Sequence, residues 1–233
     1  MSDRGTLEAV GLRRHFDDGQ RVIDVLRGLD LTVAGGQSVA VVGESGVGKS
    51  TLLHLLGALD RPDGGSVRLG GHDLFTLPSA ELAHLRNRAI GFVFQFHYLL
   101  GDFDAEENVM MPLLLGGQTR AAARKRARAM LERVGLAERL DHRPGQLSGG
   151  EQQRVAVARA VVGSPSLILA DEPTGNLDPS TASEIQRLLR ELQREAGCSM
   201  VVATHSETLA NAMDRKLRLH AGVLHDTREG ATP

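Results

Sequence analysis

Of 233 residues only one is a cysteine, Cys198, and none is a tryptophan. A lone thiol can build neither a disulfide framework nor a thiolate zinc site within one chain, which suits a reducing cytoplasm. Long apolar runs are missing as well. No stretch approaches the roughly 18 consecutive apolar residues that span a bilayer, and the opening MSDRGTLEAV has no basic segment followed by an apolar core. Neither a membrane span nor a secretory leader is expected. Nor is there an excess of one charge: 27 Lys and Arg stand against 29 Asp and Glu, a formal net charge of -2. Without global attraction to a polyanion, nucleic acid is not an expected partner.

What is abundant is glycine, 27 residues against an average usage of about 7%, without low complexity, and this points to tight turns where backbone approaches a ligand. Short β segments are expected at Leu7 to Leu12, Val22 to Leu26, Leu29 to Val33 and Ser38 to Val42, parted by Asp17-Asp18-Gly19 and Gly35-Gly36. A helical pattern follows from Lys49 to Leu59, then a turn at Pro62-Asp63-Gly64-Gly65. The strand Ile90 to Phe94 precedes a helical block. Within it, Asp104 and Glu107 have capping-box spacing for a helix toward Leu115, and a second helix begins near Thr119. This second helix carries Arg120, Arg124 and Arg128 on one stripe, expected to be a solvated face, and Ala123, Ala127, Met130, Leu131 and Val134 on another. A third follows Ser148-Gly149-Gly150 and runs to Val162. Beyond it strands and helices alternate: Leu167 to Ala170, Ser180 to Glu195, Met200 to Thr204, Ser206 to Met213. Parallel α/β wiring is therefore expected, interrupted by a helical insertion from about Phe96 to Gly163, with a disordered tail from Thr227 to Pro233.

Three motifs carry chemistry. Gly43-Glu44-Ser45-Gly46-Val47-Gly48-Lys49-Ser50, with Thr51 next along the chain, fits G-x-x-x-x-G-K-[ST] between a strand and a helix. Its backbone N–H groups can cradle phosphate oxygens, Lys49 can reach the β and γ phosphates, and the Ser50 hydroxyl can ligate Mg²⁺, so a nucleoside triphosphate site is expected. At the end of the apolar strand Leu167 to Ala170, Asp171 can hold the metal shell and Glu172 can polarise the attacking water. Leu147-Ser148-Gly149-Gly150-Glu151-Gln152-Gln153-Arg154 offers a second anion-binding helix start. Since the first loop already fills this chain's phosphate site, the second cradle is accounted for if Ser148, Gly149, Gly150 and Glu151 close over the nucleotide of another copy, in a head-to-tail pair with two shared sites.

In order and residue type these motifs resemble the ATP-binding-cassette (ABC) ATPases over nearly the entire chain. The resemblance implies a P-loop NTPase of α/β class: a RecA-like parallel sheet core, an N-terminal antiparallel β subdomain and an inserted α-helical subdomain. Residues 1–95 and 164–233 would form the nucleotide-binding part, and 96–163 the helical part with the Leu147 octet. It further implies that Gln95 touches Mg²⁺ and water and couples to a membrane partner, that His205 is a switch histidine near the γ-phosphate, and that Asn176-Leu177-Asp178 is the family's D-loop. Phe16 stands where an aromatic, usually Tyr, stacks on adenine, with His15 beside it as the other ring at that place. A narrower likeness lies in Gly91-Phe92-Val93-Phe94-Gln95-Phe96-His97-Tyr98-Leu99-Leu100, Glu107 to Leu114 and Asp171-Glu172-Pro173-Thr174-Gly175-Asn176-Leu177-Asp178. These resemble the ATPase subunits of lipoprotein-releasing transporters of Gram-negative bacteria, although Gly101 replaces a usual Pro. The last string is shared with macrolide-exporter and cell-division relatives.

The implied protein is an ATP-hydrolysing dimer, peripheral on the cytoplasmic face of the inner membrane. Two membrane-spanning subunits of the LolC and LolE type would be its partners, with lipoprotein cargo handled indirectly. Other classes fit less well. Ribosome-associated cassette proteins carry two cassettes, DNA-repair ones carry long coiled coils, and a GTPase would carry N-K-x-D where Asn176 is followed by Leu177-Asp178. A dehydrogenase would need the G-x-G-x-x-G fingerprint.

Overall fold

A computed structural model of the chain describes residues 5–17, 19 and 21–227. Residues 228–233 of the tail expected to be disordered, and Asp18 of the first expected turn, lie outside them.

Two sheets share the structure. The smaller is antiparallel, in the order β2-β1-β4-β5, from β1 (Leu7–Asp17), β2 (Val22–Val33), β4 (Gly64–Leu69) and β5 (His72–Asp73). The larger runs β10-β9-β3-β8-β7-β6. In it β3 (Ser38–Val42), β6 (Ile90–Phe94), β7 (Leu167–Asp171), β8 (Ser199–Ala203) and β9 (Arg215–His220) are parallel, and β10 (Val223–Asp226) returns antiparallel on the edge. Both β3 and β8 are buried along their whole length, the continuous apolar reading of a strand covered on both faces. One cluster, built on Leu52, Leu55, Leu56 and the inner face of β1 and β2, fills the space between the sheets. The other packs the far face of the large sheet against the remaining helices.

Two expected segments, Val22 to Leu26 and Leu29 to Val33, are a single strand. Gly28, with φ of 85°, carries the chain through the irregular stretch that sequence punctuation suggests is a break. Register also slips between Arg14 and His15, where Arg14 faces Leu26 and His15 faces Asp24, so Val25 is the extra residue of a bulge. The helix α1 is shorter than expected, Lys49–Leu56, and stops at Gly57. A further helix, α2 (Ser79–Ala89), has no fully buried residue and therefore no clear apolar stripe in the sequence.

The helical block comprises α3 (Ala105–Leu115), α4 (Arg120–Arg133) and α5 (Gly149–Val161). Asp104 caps α3 by accepting from the Glu107 N–H at 2.7 Å, while the Glu107 carboxylate lies 3.2 Å from Arg120. The basic stripe on α4 is exposed, as expected of a solvated face, and it also meets α3. Arg124 reaches Glu106 at 2.7 Å, Arg128 is bonded to the same carboxylate, and Glu106 is only 3% exposed. The stripe clasps α3 because a carboxylate buried there is stable only with its charge matched. The opposite stripe, Ala123, Ala127, Leu131 and Val134, is buried as expected. Helices α6 (Pro179–Ala196) and α7 (Glu207–Asn211) complete the chain.

Candidate functional site

Four loops leave the same ends of four adjacent parallel strands. In spatial order they follow β3, β8, β7 and β6, and they carry Lys49, His205, Asp171 with Glu172, and Gln95. Crevices outside the carboxyl ends of parallel strands are where α/β sheets place ligands. A cleft of about 620 Å³ is lined there by Phe16, Val25, Ser45, Gly46, Gly48, Lys49, Ser50, Thr51, Gln95, Asp171, Glu172, Gly175 and His205.

The loop of residues 43–48 owes its shape to glycine. A Cβ on Gly43 would sit 2.7 Å from the Leu219 carbonyl, and one on Gly48, at φ 109°, would strike Val25 Cγ1 at 2.5 Å. Gly48 ends the loop at the head of α1, where no side chain caps the helix, so the first-turn N–H groups are presented to the cleft. Glu44 contributes its carbonyl and Val47 packs toward the core, so neither lines the cleft.

Lys49 is 6% exposed. Its three ammonium hydrogens have three acceptors at 3.0 Å: the carbonyls of Gly43 and Glu44, and His205 Nε2. Burial pulls its pKa below the ordinary 10.5, and the charges of Glu172 and Asp171 oppose that pull. With Nε2 accepting from Lys49, the bonding pattern assigns the proton of neutral His205 to Nδ1. Nε2 then cannot donate to Glu172 Oε1, although the two atoms lie only 3.3 Å apart. Glu172 Oε2 accepts from the His205 N–H at 3.1 Å, whereas Oε1 is buried without a donor. A buried acceptor lacking its hydrogen costs about 1–3 kcal/mol, and a water proton directed at it would relieve that cost. Glu172 also has φ of 44°, a conformation non-glycine residues rarely hold, kept in place by its N–H on the Ala203 carbonyl at 2.9 Å.

Gln95 donates from Nε2 to Asn176 Oδ1 at 3.0 Å, which leaves the amide oxygen as the group for a cation. Ser50, Asp171 and Gln95 together present hydroxyl, carboxylate and amide oxygens without nitrogen or sulfur. Such a set fits Mg²⁺, which takes one or two carboxylates and completes its shell with water and substrate phosphate. Of the two rings considered for adenine, Phe16 lines the cleft, half-exposed, with the Arg14 guanidinium 4.8 Å from its centroid. His15 instead faces Asp63, 3.0 Å away. Sequence periodicity does not single out Val25, because the bulge that turns it toward Gly48 leaves no composition signal.

The second cradle is not brought to this cleft. Ser148, Gly149, Gly150 and Glu151 lie in a separate depression of about 410 Å³ with Asn176, Leu177 and Asp178. Ser148 and Glu151 form a reciprocal cap: the Ser148 Oγ accepts from the Glu151 N–H at 3.2 Å, and the Glu151 carboxylate accepts from the Ser148 N–H at 2.9 Å. A third hollow, an apolar groove of about 650 Å³, lies away from this chemistry, between α2, β6, α3 and α5, with Phe92, Phe94, Met111, Leu115 and Arg159 in its wall. At its border the segment after Gln95 exposes Phe96 (64%) and Tyr98 (66%) while tucking Leu99 against the core. Arg159 fixes that segment by donating to the His97 and Tyr98 carbonyls at 2.7 and 2.8 Å. Among the described residues no helix is long and apolar enough to cross a membrane.

Comparison with known proteins places these features in a wider set. The family model described as ABC transporter matches residues 26–175. The lipoprotein-releasing system ATP-binding protein LolD of Geobacter metallireducens is 56% identical, over 93% of this chain and 96% of its own. That of Myxococcus xanthus is 56% identical over 92% and 95%. A solved structure titled as a dimeric, post-hydrolysis state of the ATP-binding cassette MJ0796 bound to ADP and Pi superposes with a TM-score of 0.87 at 37% identity, covering 94% of this chain and 96% of that one.

Proposed function

The chain belongs to the ABC transporter family, and from that premise we propose that it is the ATP-binding, ATP-hydrolysing subunit of a transporter that releases lipoproteins from the inner membrane toward a periplasmic carrier. The observation that carries the ATPase reading is the convergence of Lys49, Asp171, Glu172, Gln95 and His205 on one cleft. ATP stacks its adenine on Phe16 and lays its phosphates on the N–H groups of residues 43–51, with Lys49 turning from its carbonyl partners to the β and γ phosphates. When bound, Mg²⁺ neutralises phosphate charge and would be held by Ser50, Asp171 and Gln95. Glu172 Oε1 orients the attacking water and draws on its proton, and His205 holds Glu172 through its main-chain N–H while facing the γ-phosphate. Two copies pair head to tail, so that Ser148, Gly149 and Gly150 of each close the nucleotide of the other. The likeness to LolD supports lipoprotein release. Membrane subunits of the LolC and LolE kind would dock on the apolar groove and the Phe96–Tyr98 segment, which sets this chain on the cytoplasmic face of the inner membrane.

Two experiments test this. Lys49→Ala removes a charge-assisted phosphate contact worth about 1.5–3 kcal/mol, so phosphate release with the membrane subunits present should fall to background. Wild-type turnover in that variant would contradict the site. Affinity purification of the native complex from membranes should recover two lipoprotein-releasing membrane subunits, and recovery of macrolide-exporter or cell-division subunits would replace the cargo assignment while leaving the ATPase intact.

A further inference from the structure

The second cradle contains an electrostatic contradiction. Its helix start presents the N–H groups that attract an anion, yet the cap that shapes it puts the carboxylate of Glu151 2.9 Å from the Ser148 N–H. That carboxyl is held below its ordinary range, first by the Ser148 N–H and then by Arg139, so it is charged at neutral pH. Two further carboxylates border the same depression, Asp178 and Glu184. Asp178 caps α6 through the N–H groups of Ser180 and Thr181, and Glu184 is paired with Arg154 at 2.6 Å. Without a cation on Glu151, a phosphate arriving there would meet two carboxylates unmatched by any cation, Glu151 and Asp178, instead of one.

Arg139 supplies that cation. The residue lies on a short 3-10 turn after α4, Ala137–Arg139, outside the wall of the depression, and its Nε donates to Glu151 Oε1 at 2.9 Å. We propose that Arg139 is a positioning residue of the shared nucleotide site: by neutralising Glu151 it lets the cap hold the Ser148 hydroxyl as a donor to the γ-phosphate without repelling that phosphate. The Ser148 Oγ accepts from the Glu151 N–H, so its hydrogen remains for an outside acceptor. The cap needs an acceptor at residue 151, which an amide also supplies. The charge is the cost of using glutamate, and Arg139 offsets it. This inference rests on the head-to-tail reading above.

The test uses the full chain in a Glu172→Gln background, where Mg²⁺-ATP should drive dimerisation, followed by light scattering or sedimentation. Arg139→Ala should weaken that association about tenfold at low ionic strength, the size of one unscreened charge near a phosphate, and the deficit should shrink as salt is raised. Adding Glu151→Gln should restore association to within about threefold of the parent, whereas binding of a fluorescent ATP analogue to the monomer stays unchanged throughout. An Arg139→Ala protein that dimerises like the parent, or a deficit that Glu151→Gln fails to repair, overturns the inference. If Arg139→Ala is poorly folded by thermal melting, Arg139→Gln is carried through the same series and judged by the same two outcomes. Ser148→Arg separates the two levels: a dimer that persists in that variant sinks the shared-site reading itself, whereas its loss together with an unrepaired Arg139→Ala deficit sinks only the role of Arg139.

Discussion

Glu172 concentrates more unusual features than any neighbour: a left-handed backbone, a carboxylate oxygen without a donor and a histidine too occupied by Lys49 to supply one. Glu172→Gln keeps the shape and the contact with the His205 N–H but removes the proposed base. Turnover should drop by at least about 10²-fold while ATP stays bound, which a filter-binding assay alongside phosphate release would verify. A second carboxylate, away from the cleft lining, links two strand starts. Asp214 accepts from the N–H and the hydroxyl of Ser38 at 2.8 and 2.7 Å, tying the start of β3 to the start of β9. Chiefly the Ser38 N–H holds its pKa below 3.8. A folded pKa below the unfolded one means that this carboxyl contributes stability above its unfolded value and loses it as pH falls through the folded value. The melting temperature of Asp214→Asn should therefore be lower than wild type at pH 7, with the two curves converging below about pH 4. Equal melting temperatures at neutral pH would show that the clamp contributes nothing.

At the level of elements, what the sequence reveals depends on whether an element's partner leaves a local trace. The strands β3, β7 and β8 are legible because burial on both faces demands unbroken apolar residues, and α5 is legible because Ser148 and Glu151 announce their own cap. The helix α2 and the strands β9 and β10 are not. They are held by neighbours remote in the chain, β9 through its pairing with β3 from Val39↔Arg215 to Val42↔Arg218, and their residues alternate weakly. The site follows the same division. The phosphate loop and Asp171-Glu172 are local strings, whereas the proximity of His205 to Lys49 and the approach of Val25 to Gly48 arise only from sheet order. The joining of α3 to α4 is likewise hidden, since the buried Glu106 and its arginines are 18 and 22 residues apart in sequence, about five to six helical turns. Glu106→Ala should destabilise the chain by about 1–3 kcal/mol, less than the 3–5 of a fully buried pair because both arginines are half-exposed. Thermal melting of the single and the Glu106→Ala Arg124→Ala variants measures this, and a loss under about 0.3 kcal/mol would reduce the clasp to an ornament of the surface.

Across the whole molecule, the nucleotide cleft and the apolar groove proposed for partner docking lie on different surfaces, with residues 95–100 running between them. Tyr98 is exposed and Leu100 partly so, while Leu99 faces the core. The double variant Tyr98→Ala Leu100→Ala should therefore keep the ATPase activity and melting temperature of the isolated subunit but lose association with the membrane subunits in co-purification. A fall in melting temperature with association intact would return the segment to the core. Sheet order has a further result, for synthesis. The strand that delivers the phosphate loop, β3, is flanked among the described residues by β8 and β9 in the large sheet, and these begin at Ser199 and Arg215. A nascent chain thus carries its phosphate loop on an unpaired strand until more than four-fifths of the protein has left the ribosome. A product truncated before Ser199 would leave β3 without either partner strand, so strand order itself would keep an incomplete chain from presenting a finished nucleotide cleft.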